Sequence, residues 1–198
     1  MESKFNYKNF SIVIPIFNEE EILEESTNAI FSLCKRMEID FEIIFSENGS
    51  TDKTKAIAKE LTNKHPEIKI ISNPEPNYGN ALKTGFEIAK NDLVISFDID
   101  YYSESFLNEA LKLESEYSGI TASKRLGSSE DGRRFIRRLA TNFFVILLKT
   151  LFGTKLSDTH GMKAIKKSEI EKFLPKVVST QDIFDTELLI RIEKAVAK

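Results

Sequence analysis

The chain has 198 residues, of which 41% are hydrophobic and 30% are charged, the balance of an ordinary water-soluble globular protein. Its net charge of −3 excludes the broad positive field of a nucleic-acid-binding surface, so we expect no nucleic acid partner. The single cysteine, Cys34, excludes a disulfide framework and the four-cysteine zinc sites. With a polar start and no apolar run long enough to cross a bilayer, the chain is expected to be cytoplasmic.

Strands and helices are predicted to alternate along the first part of the chain. Apolar runs with the length and composition of buried strands lie at 10–16, 41–45, 68–72 and 93–97. A segment with helical periodicity follows each of them, and the last of these helices begins at Ser103. Such alternation predicts an α/β fold with a mostly parallel sheet and helices on both faces. A fifth strand near 120–123 and a last helix over 183–197 complete the prediction.

Two carboxylates, Asp98 and Asp100, directly follow the fourth predicted strand. Residues two apart in an extended chain point to the same side, so both are expected to meet one cation at the carboxyl end of the strand. A hard divalent cation such as Mg²⁺ or Mn²⁺ takes one or two carboxylates and fills its shell with substrate phosphates. For an isolated Asp-x-Asp the alternative is an ordinary acidic turn.

The loops after the first, second and fourth strands all carry acidic residues, including Glu19 and Glu47. Because parallel strands end at one edge of the sheet, these loops are expected to line one crevice. For Glu20 and Glu21, capping of the following helix is the simpler interpretation.

A helix predicted over 133–152 begins with closely spaced arginines and continues with apolar residues. The arginines are Arg133, Arg134, Arg137 and Arg138. One interpretation is a core helix with a solvated basic end. The other is a helix lying peripherally at the cytoplasmic face of the membrane, where arginines meet lipid phosphates.

Short motifs along nearly the whole chain resemble GT-A glycosyltransferases, in the branch that includes dolichyl-phosphate mannose synthase. They are IPIFNEE at 14–20, ENGSTDKT at 47–54, NYGNALKTG at 77–85, DID at 98–100, SKR at 123–125, DTHGMK at 158–163 and FDTELL at 184–189. Each motif is weak alone, but their order along the chain is specific.

The resemblance implies an inverting sugar transfer from a nucleotide sugar, with a divalent cation at Asp98 and Asp100. It implies nucleotide-sugar contacts for Pro15, Phe17, Glu19 and Glu47. Lys124 and Arg125 would be further hydrogen-bond donors to the phosphates. The family usually has Asp where Glu47 and Asn48 stand, so the choice of nucleobase is open.

The acceptor is expected to be a polyprenyl phosphate, positioned by the arginines that begin the helix at 133–152. A saccharide or protein hydroxyl is the alternative, and it would need a general base, for which Asp185 and Glu187 are the candidates. Both residues could instead cap the last helix.

We expect residues 1–198 to form one catalytic domain, either complete or truncated at its C-terminus. If the chain is truncated, a further alternative is a non-catalytic domain that binds a nucleotide sugar.

Overall fold

The computed structural model describes residues 4–122, 150, 153–154, 161–181 and 183–196. In this part of the chain a six-stranded sheet carries helices on both faces, which confirms the predicted α/β class. The strands are β1 (Asn9–Ile16), β2 (Asp40–Asn48), β3 (Ile68–Asn73), β4 (Leu93–Ser96), β5 (Gly119–Thr121) and β6 (Lys163–Lys166). The helices are α1 (Leu23–Lys35), α2 (Thr54–Lys64), α3 (Tyr78–Ile88), α4 (Glu104–Leu111), α5 (Lys167–Phe173) and α6 (Phe184–Val196).

The sheet has the strand order β3-β2-β1-β4-β6-β5. The first four strands are parallel, and a helix connects each to the next along the chain. β6 is antiparallel to β4, and β5 lies at the edge, antiparallel to β6. The sequence did not predict β6, because Ala164 and Ile165 between two lysines give no recognisable strand period.

Alternate residues of the central strands pack into two cores. Ile12 of β1 and Phe45 of β2 belong to the core under α1, α2 and α4. Val13 and Ile44 belong to the core under α3, α5 and α6. Buried strands of this kind read as continuous apolar runs, which is why they were predictable.

Helix α3 lies very close to β1. A Cβ added at Gly85 would be 2.3 Å from Val13 Cγ1, so only glycine allows this approach. The start of α3 is thereby held at the edge where β1, β2 and β4 end, which we call the carboxyl edge. β6 runs in the opposite direction and begins there, with Lys163 paired in register to Ser96.

Candidate active site at the carboxyl edge

A cavity of about 280 Å³ opens at the carboxyl edge. The segments that line it are the end of β1 and the loop after it, the end of β2, the start of α3 and the turn after β4. Its lining includes Pro15, Phe17, Glu19, Asn48, Tyr78, Asp98 and Asp100. Such a crevice is where open α/β sheets bind their ligands.

Asp98 and Asp100 reach the cavity from a tight turn. The Tyr101 N–H donates to the Asp98 carbonyl at 3.0 Å and closes this turn. The predicted extended geometry is therefore wrong: β4 ends at Ser96, where its register with Lys163 also ends. Both carboxylates still line the same cavity, Asp98 half-buried and Asp100 exposed.

The carboxylates around the cavity repel one another. Burial raises the pKa of Glu19 above its usual value, and the charges of Asp100, Asp52 and Asp98 raise it further. Like charges gathered in this way favour binding of a cation, which would relieve the repulsion.

The donor set at Asp98 and Asp100 fits Mg²⁺ or Mn²⁺. Both are hard cations that accept two carboxylates and take further oxygen ligands from water or phosphate. Among the described residues, no group of three or more His, Cys, Asp or Glu side chains could hold one metal ion. The two aspartates would therefore form part of the shell, and ligand oxygens would complete it.

The loop after β1 is fastened to the loop after β2. Asn18 has a φ of 54°, a left-handed conformation that asparagine tolerates better than most residues. Its Oδ1 accepts the Thr51 N–H at 2.9 Å, and its own N–H donates to Ser50 Oγ at 3.1 Å. The Glu19 N–H donates to Thr54 Oγ1 at 2.7 Å. These bonds hold the Glu19 backbone beside the cavity.

Glu20 also belongs to this junction between loops. Its carboxylate accepts the Lys53 N–H at 3.0 Å, and its N–H donates to Asp52 at 3.3 Å. The predicted capping of α1 by Glu20 and Glu21 is wrong, because the helix begins two residues later, at Leu23.

Phe17 and Pro15 provide an apolar wall. The Phe17 side chain is 41% exposed, although most large hydrophobic side chains among the described residues are buried. An exposed aromatic ring in a cavity offers a flat face on which a planar base can stack. Both residues were predicted nucleotide contacts, and both line the cavity.

Glu47 does not line this cavity. Its side chain is only 1% exposed, and its Oε1 accepts the Ser50 N–H at 2.6 Å, which closes the turn after β2. Its Oε2 lies 3.9 Å from Lys55 Nζ. Asn48, the next residue, lines the cavity instead, since successive strand residues point to opposite sides.

Asn48 is held in one orientation by the start of α3. Its Oδ1 accepts the Asn77 N–H at 2.6 Å, which leaves its amide nitrogen as the donor for a ligand. Asn77 also caps α3 by accepting the Asn80 N–H at 3.0 Å, and Tyr78 follows it into the cavity lining. The sequence prediction included neither Asn48 nor Tyr78. The strand alternation at Glu47 was a signal for Asn48.

Asp185 is buried in the first turn of α6. Its Oδ2 accepts a hydrogen bond from Lys163 Nζ at 3.1 Å, and neither side chain is more than 2% exposed. Its Oδ1 accepts the Thr186 N–H at 2.8 Å. This carboxylate is used in a buried ion pair between α6 and β6.

Glu187 is also engaged, on the outside of the same turn. It accepts the Ser179 N–H at 2.8 Å, the Val178 N–H at 3.1 Å and Arg191 Nε at 2.8 Å. Partial burial alone would raise the pKa of Glu187, but these hydrogen bonds outweigh it and hold the pKa at about 2. Neither Asp185 nor Glu187 lines the cavity.

The remaining predicted contacts lie outside the described residues. They are Lys124, Arg125, Arg133, Arg134, Arg137 and Arg138, in the predicted phosphate-binding and lipid-binding segments. None of the described helices has the length and apolar character required to cross a membrane.

Solved structures of nucleotide-sugar enzymes resemble this fold. Glucosyl-3-phosphoglycerate synthase from Mycobacterium tuberculosis, in complex with Mn²⁺, UDP and glucosyl-3-phosphoglycerate, superposes with a TM-score of 0.70. It is 20% identical, and the match covers 96% of this chain and 66% of that one. The mannosyltransferase PcManGT from Pyrobaculum calidifontis, in complex with GDP-Man and Mn²⁺, gives a TM-score of 0.59 at 19% identity. That match covers 85% of this chain and 47% of the mannosyltransferase.

Sequence relatives give a more specific assignment. The undecaprenyl-phosphate 4-deoxy-4-formamido-L-arabinose transferase of Proteus mirabilis is 36% identical over 167 residues, 83% of this chain and 51% of the relative. Glycosyltransferase AglD of Haloferax volcanii is 27% identical over 192 residues, 93% of this chain and 31% of AglD. The chain thus spans about half or less of the length of these relatives. A model of glycosyl transferase family 2 matches residues 11–174, and the chain belongs to that family.

Proposed function

We propose that this chain transfers a sugar, with inversion, from a nucleoside-diphosphate sugar to a polyprenyl phosphate. The observation that carries the proposal is the single cavity in which Phe17 and Asn48 meet Asp98 and Asp100. An aromatic ring and an amide suit a nucleobase, and two carboxylates suit a cation-bound diphosphate. The structurally similar enzymes were solved with Mn²⁺ and either UDP or GDP-Man, which supports a cation and a nucleotide as the ligands.

In the proposed step, an oxygen of the acceptor phosphate attacks the anomeric carbon while the bond from that carbon to the diphosphate breaks. The new bond forms on the opposite face of the sugar, and the electron pair of the broken bond leaves with the nucleoside diphosphate. A Mg²⁺ or Mn²⁺ ion held by Asp98 and Asp100 would neutralise the charge that develops on this leaving group. Phe17 stacks on the base, Asn48 donates to it, and Lys124 and Arg125 contact the phosphates.

Neither carboxylate at the start of α6 is available as a general base, and this favours an acceptor that is already an anion. A hydroxyl acceptor requires a general base, whereas a phosphate is already a nucleophilic anion. Asp185 is buried against Lys163, and Glu187 is occupied by two backbone N–H groups and Arg191. The name of the Proteus mirabilis relative, an undecaprenyl-phosphate transferase, supports the same class of acceptor.

Residues 1–198 would then act as one catalytic domain at the cytoplasmic face of a membrane. We propose that Arg133, Arg134, Arg137 and Arg138 meet anionic lipid, at about 1 kcal/mol of attraction per arginine near the surface. Sedimentation with anionic liposomes tests this contact. Binding should fall with added salt and in the variant with Arg134→Gln and Arg138→Gln, and equal binding to neutral liposomes would contradict it.

A transfer assay tests the proposed reaction. Radiolabelled UDP-glucose, UDP-N-acetylglucosamine and GDP-mannose are each incubated with undecaprenyl phosphate or with undecaprenol, in Mn²⁺ or in EDTA. We expect label in the lipid phase only with the phosphorylated lipid and Mn²⁺, and none with Asp100→Ala. Label in soluble oligosaccharide, or binding of nucleotide without transfer to lipid from any donor, would contradict the proposal.

A further inference from the structure

A segment outside the cavity lies across the start of α3. Residues 177–181, which we call the connecting segment, join the 3-10 turn at Leu174–Lys176 to the residues before α6. A Cβ added at Gly79 would lie 2.4 Å from the Gln181 carbonyl oxygen and 2.7 Å from the Thr180 carbonyl group. Backbone therefore packs directly on backbone here, one residue from Tyr78, which lines the cavity.

Glu187 holds the connecting segment in this place. One carboxylate binds two successive backbone N–H groups, those of Val178 and Ser179. Arg191 fixes the carboxylate from the other side, with Nη2 at 2.7 Å. Hydrogen bonds to a charged acceptor are about twice as strong as neutral ones, so this contact can set the position of an otherwise irregular segment.

The helix that carries Glu187 is itself fixed to β6, the strand that pairs with β4. Asp185 pairs with Lys163, and Lys163 lies in register with Ser96, two residues before Asp98. The first turn of α6 therefore links the acidic turn on one side to the connecting segment on the other.

Apolar side chains are exposed to solvent on the connecting segment and at Ile183, two residues after it. Val178 is 81% exposed and Ile183 is 51% exposed, among the few large hydrophobic side chains described as exposed. Thr180 and Gln181 between them are exposed as well. Branched apolar side chains on a segment held by hydrogen bonds suit an apolar chain more than a sugar.

We propose that Glu187 is a positioning residue for the acceptor: it holds the connecting segment as the outer wall of the site, along which the prenyl chain lies against Val178 and Ile183. Tyr78 lines the cavity, and the connecting segment packs on Gly79 beside it, so a ligand that extends from the cavity past Tyr78 would meet this segment. The inference rests on the proposed function and adds where the lipid lies.

Three variants test the inference from different sides. Glu187→Gln replaces the double acceptor with an amide, and Gly79→Ala forces Thr180 and Gln181 away from α3. Val178→Ser removes an apolar contact without touching the hydrogen bonds. The matched controls are Glu171→Gln, an exposed carboxylate on α5, and Glu87→Ala, an exposed position on α3.

The measurements are hydrogen exchange of the connecting segment and calorimetric titration with farnesyl phosphate, a short polyprenyl phosphate. The protein is first loaded with Mn²⁺ and with UDP or GDP, whichever binds more tightly. We expect Glu187→Gln and Gly79→Ala to speed hydrogen exchange at the backbone amides of Val178 and Ser179. Both should also weaken the binding of farnesyl phosphate about tenfold. The double variant should be no worse than either single one, since both release the same segment.

Affinity for the nucleoside diphosphate should stay unchanged in Glu187→Gln, in Val178→Ser and in the controls. Val178→Ser should weaken the binding of farnesyl phosphate and leave the binding of inorganic phosphate unchanged. Variants that bind farnesyl phosphate like the wild type would overturn the inference, as would a loss of turnover in Glu187→Gln with unchanged acceptor binding, the sign of a general base. A wild type that binds the nucleotide but no farnesyl phosphate would refute the proposed acceptor itself.

Discussion

The Asn77 N–H donates to Asn48 Oδ1 at 2.6 Å and joins the start of α3 to the end of β2. This bond fixes which atom of the Asn48 amide remains for a ligand. An acidic residue at this position could only accept hydrogen bonds from a base, whereas Asn48 can donate through its amide nitrogen. The base expected here therefore presents a hydrogen-bond acceptor to Asn48.

Asn48→Ala should weaken binding of UDP or GDP about tenfold, because it removes that donor and leaves the Asn77 N–H without its acceptor. Titration calorimetry in the presence of Mn²⁺ measures the effect. Glu47→Gln is the matched control, since it keeps an oxygen for the Ser50 N–H and should change the affinity less than about twofold. The reverse pattern would make Glu47 the base contact, as the sequence predicts.

Asp100→Asn should abolish the benefit of metal for nucleotide binding. In the wild type we expect UDP or GDP to bind more tightly in Mn²⁺ than in EDTA, because the cation links the diphosphate to two carboxylates. In the variant the two affinities should be equal. Asp92→Asn, an exposed aspartate at the other end of β4, should behave like the wild type. Equal affinity with and without metal in the wild type would exclude the assigned site.

Asp185→Asn should lower the free energy of unfolding by about 3–5 kcal/mol, because the Lys163 ammonium would stay buried without its partner. Urea denaturation measures this loss. Replacing the pair by Lys163→Met and Asp185→Leu together should recover most of it, since no unpaired charge remains. If Asp185→Asn abolished sugar transfer while the unfolding free energy was unchanged, Asp185 would be a catalytic base.

Glu187 should make stability depend on pH in the acid range. Its pKa of about 2 in the folded protein lies below the ordinary value of 4.5, so folding favours the charged form. Its contribution, at most about 3 kcal/mol, is complete above pH 4.5 and is lost as pH falls toward 2. Urea midpoints at pH 7 and pH 3 should therefore differ less in Glu187→Gln than in the wild type. An unchanged difference would mean that the hydrogen bonds to Val178 and Ser179 contribute nothing.

Much of the fold was predictable because its signals are local. β1 to β4 are apolar runs with helices between them, and their order alone predicts a parallel sheet with one ligand-binding edge. Phe17 directly follows β1, and Asp98 and Asp100 lie within four residues of the end of β4, so their arrival in one cavity follows from strand direction. Their chemical roles stay predictions from the resemblance to GT-A glycosyltransferases.

Only the tertiary structure decided which of two neighbouring side chains enters the site and which carboxylates are already occupied. Glu47 and Asn48 differ by one position in a strand, and the register of β2 and the loop after it put Asn48 in the cavity and Glu47 in its own turn. From the sequence, Asp185 and Glu187 could be general bases or helix caps, because their partners Lys163, Val178 and Ser179 lie outside α6. Those contacts arise when α6 packs onto α3 and α5 and Asp185 pairs with Lys163 of β6, and no local pattern in the sequence specifies them.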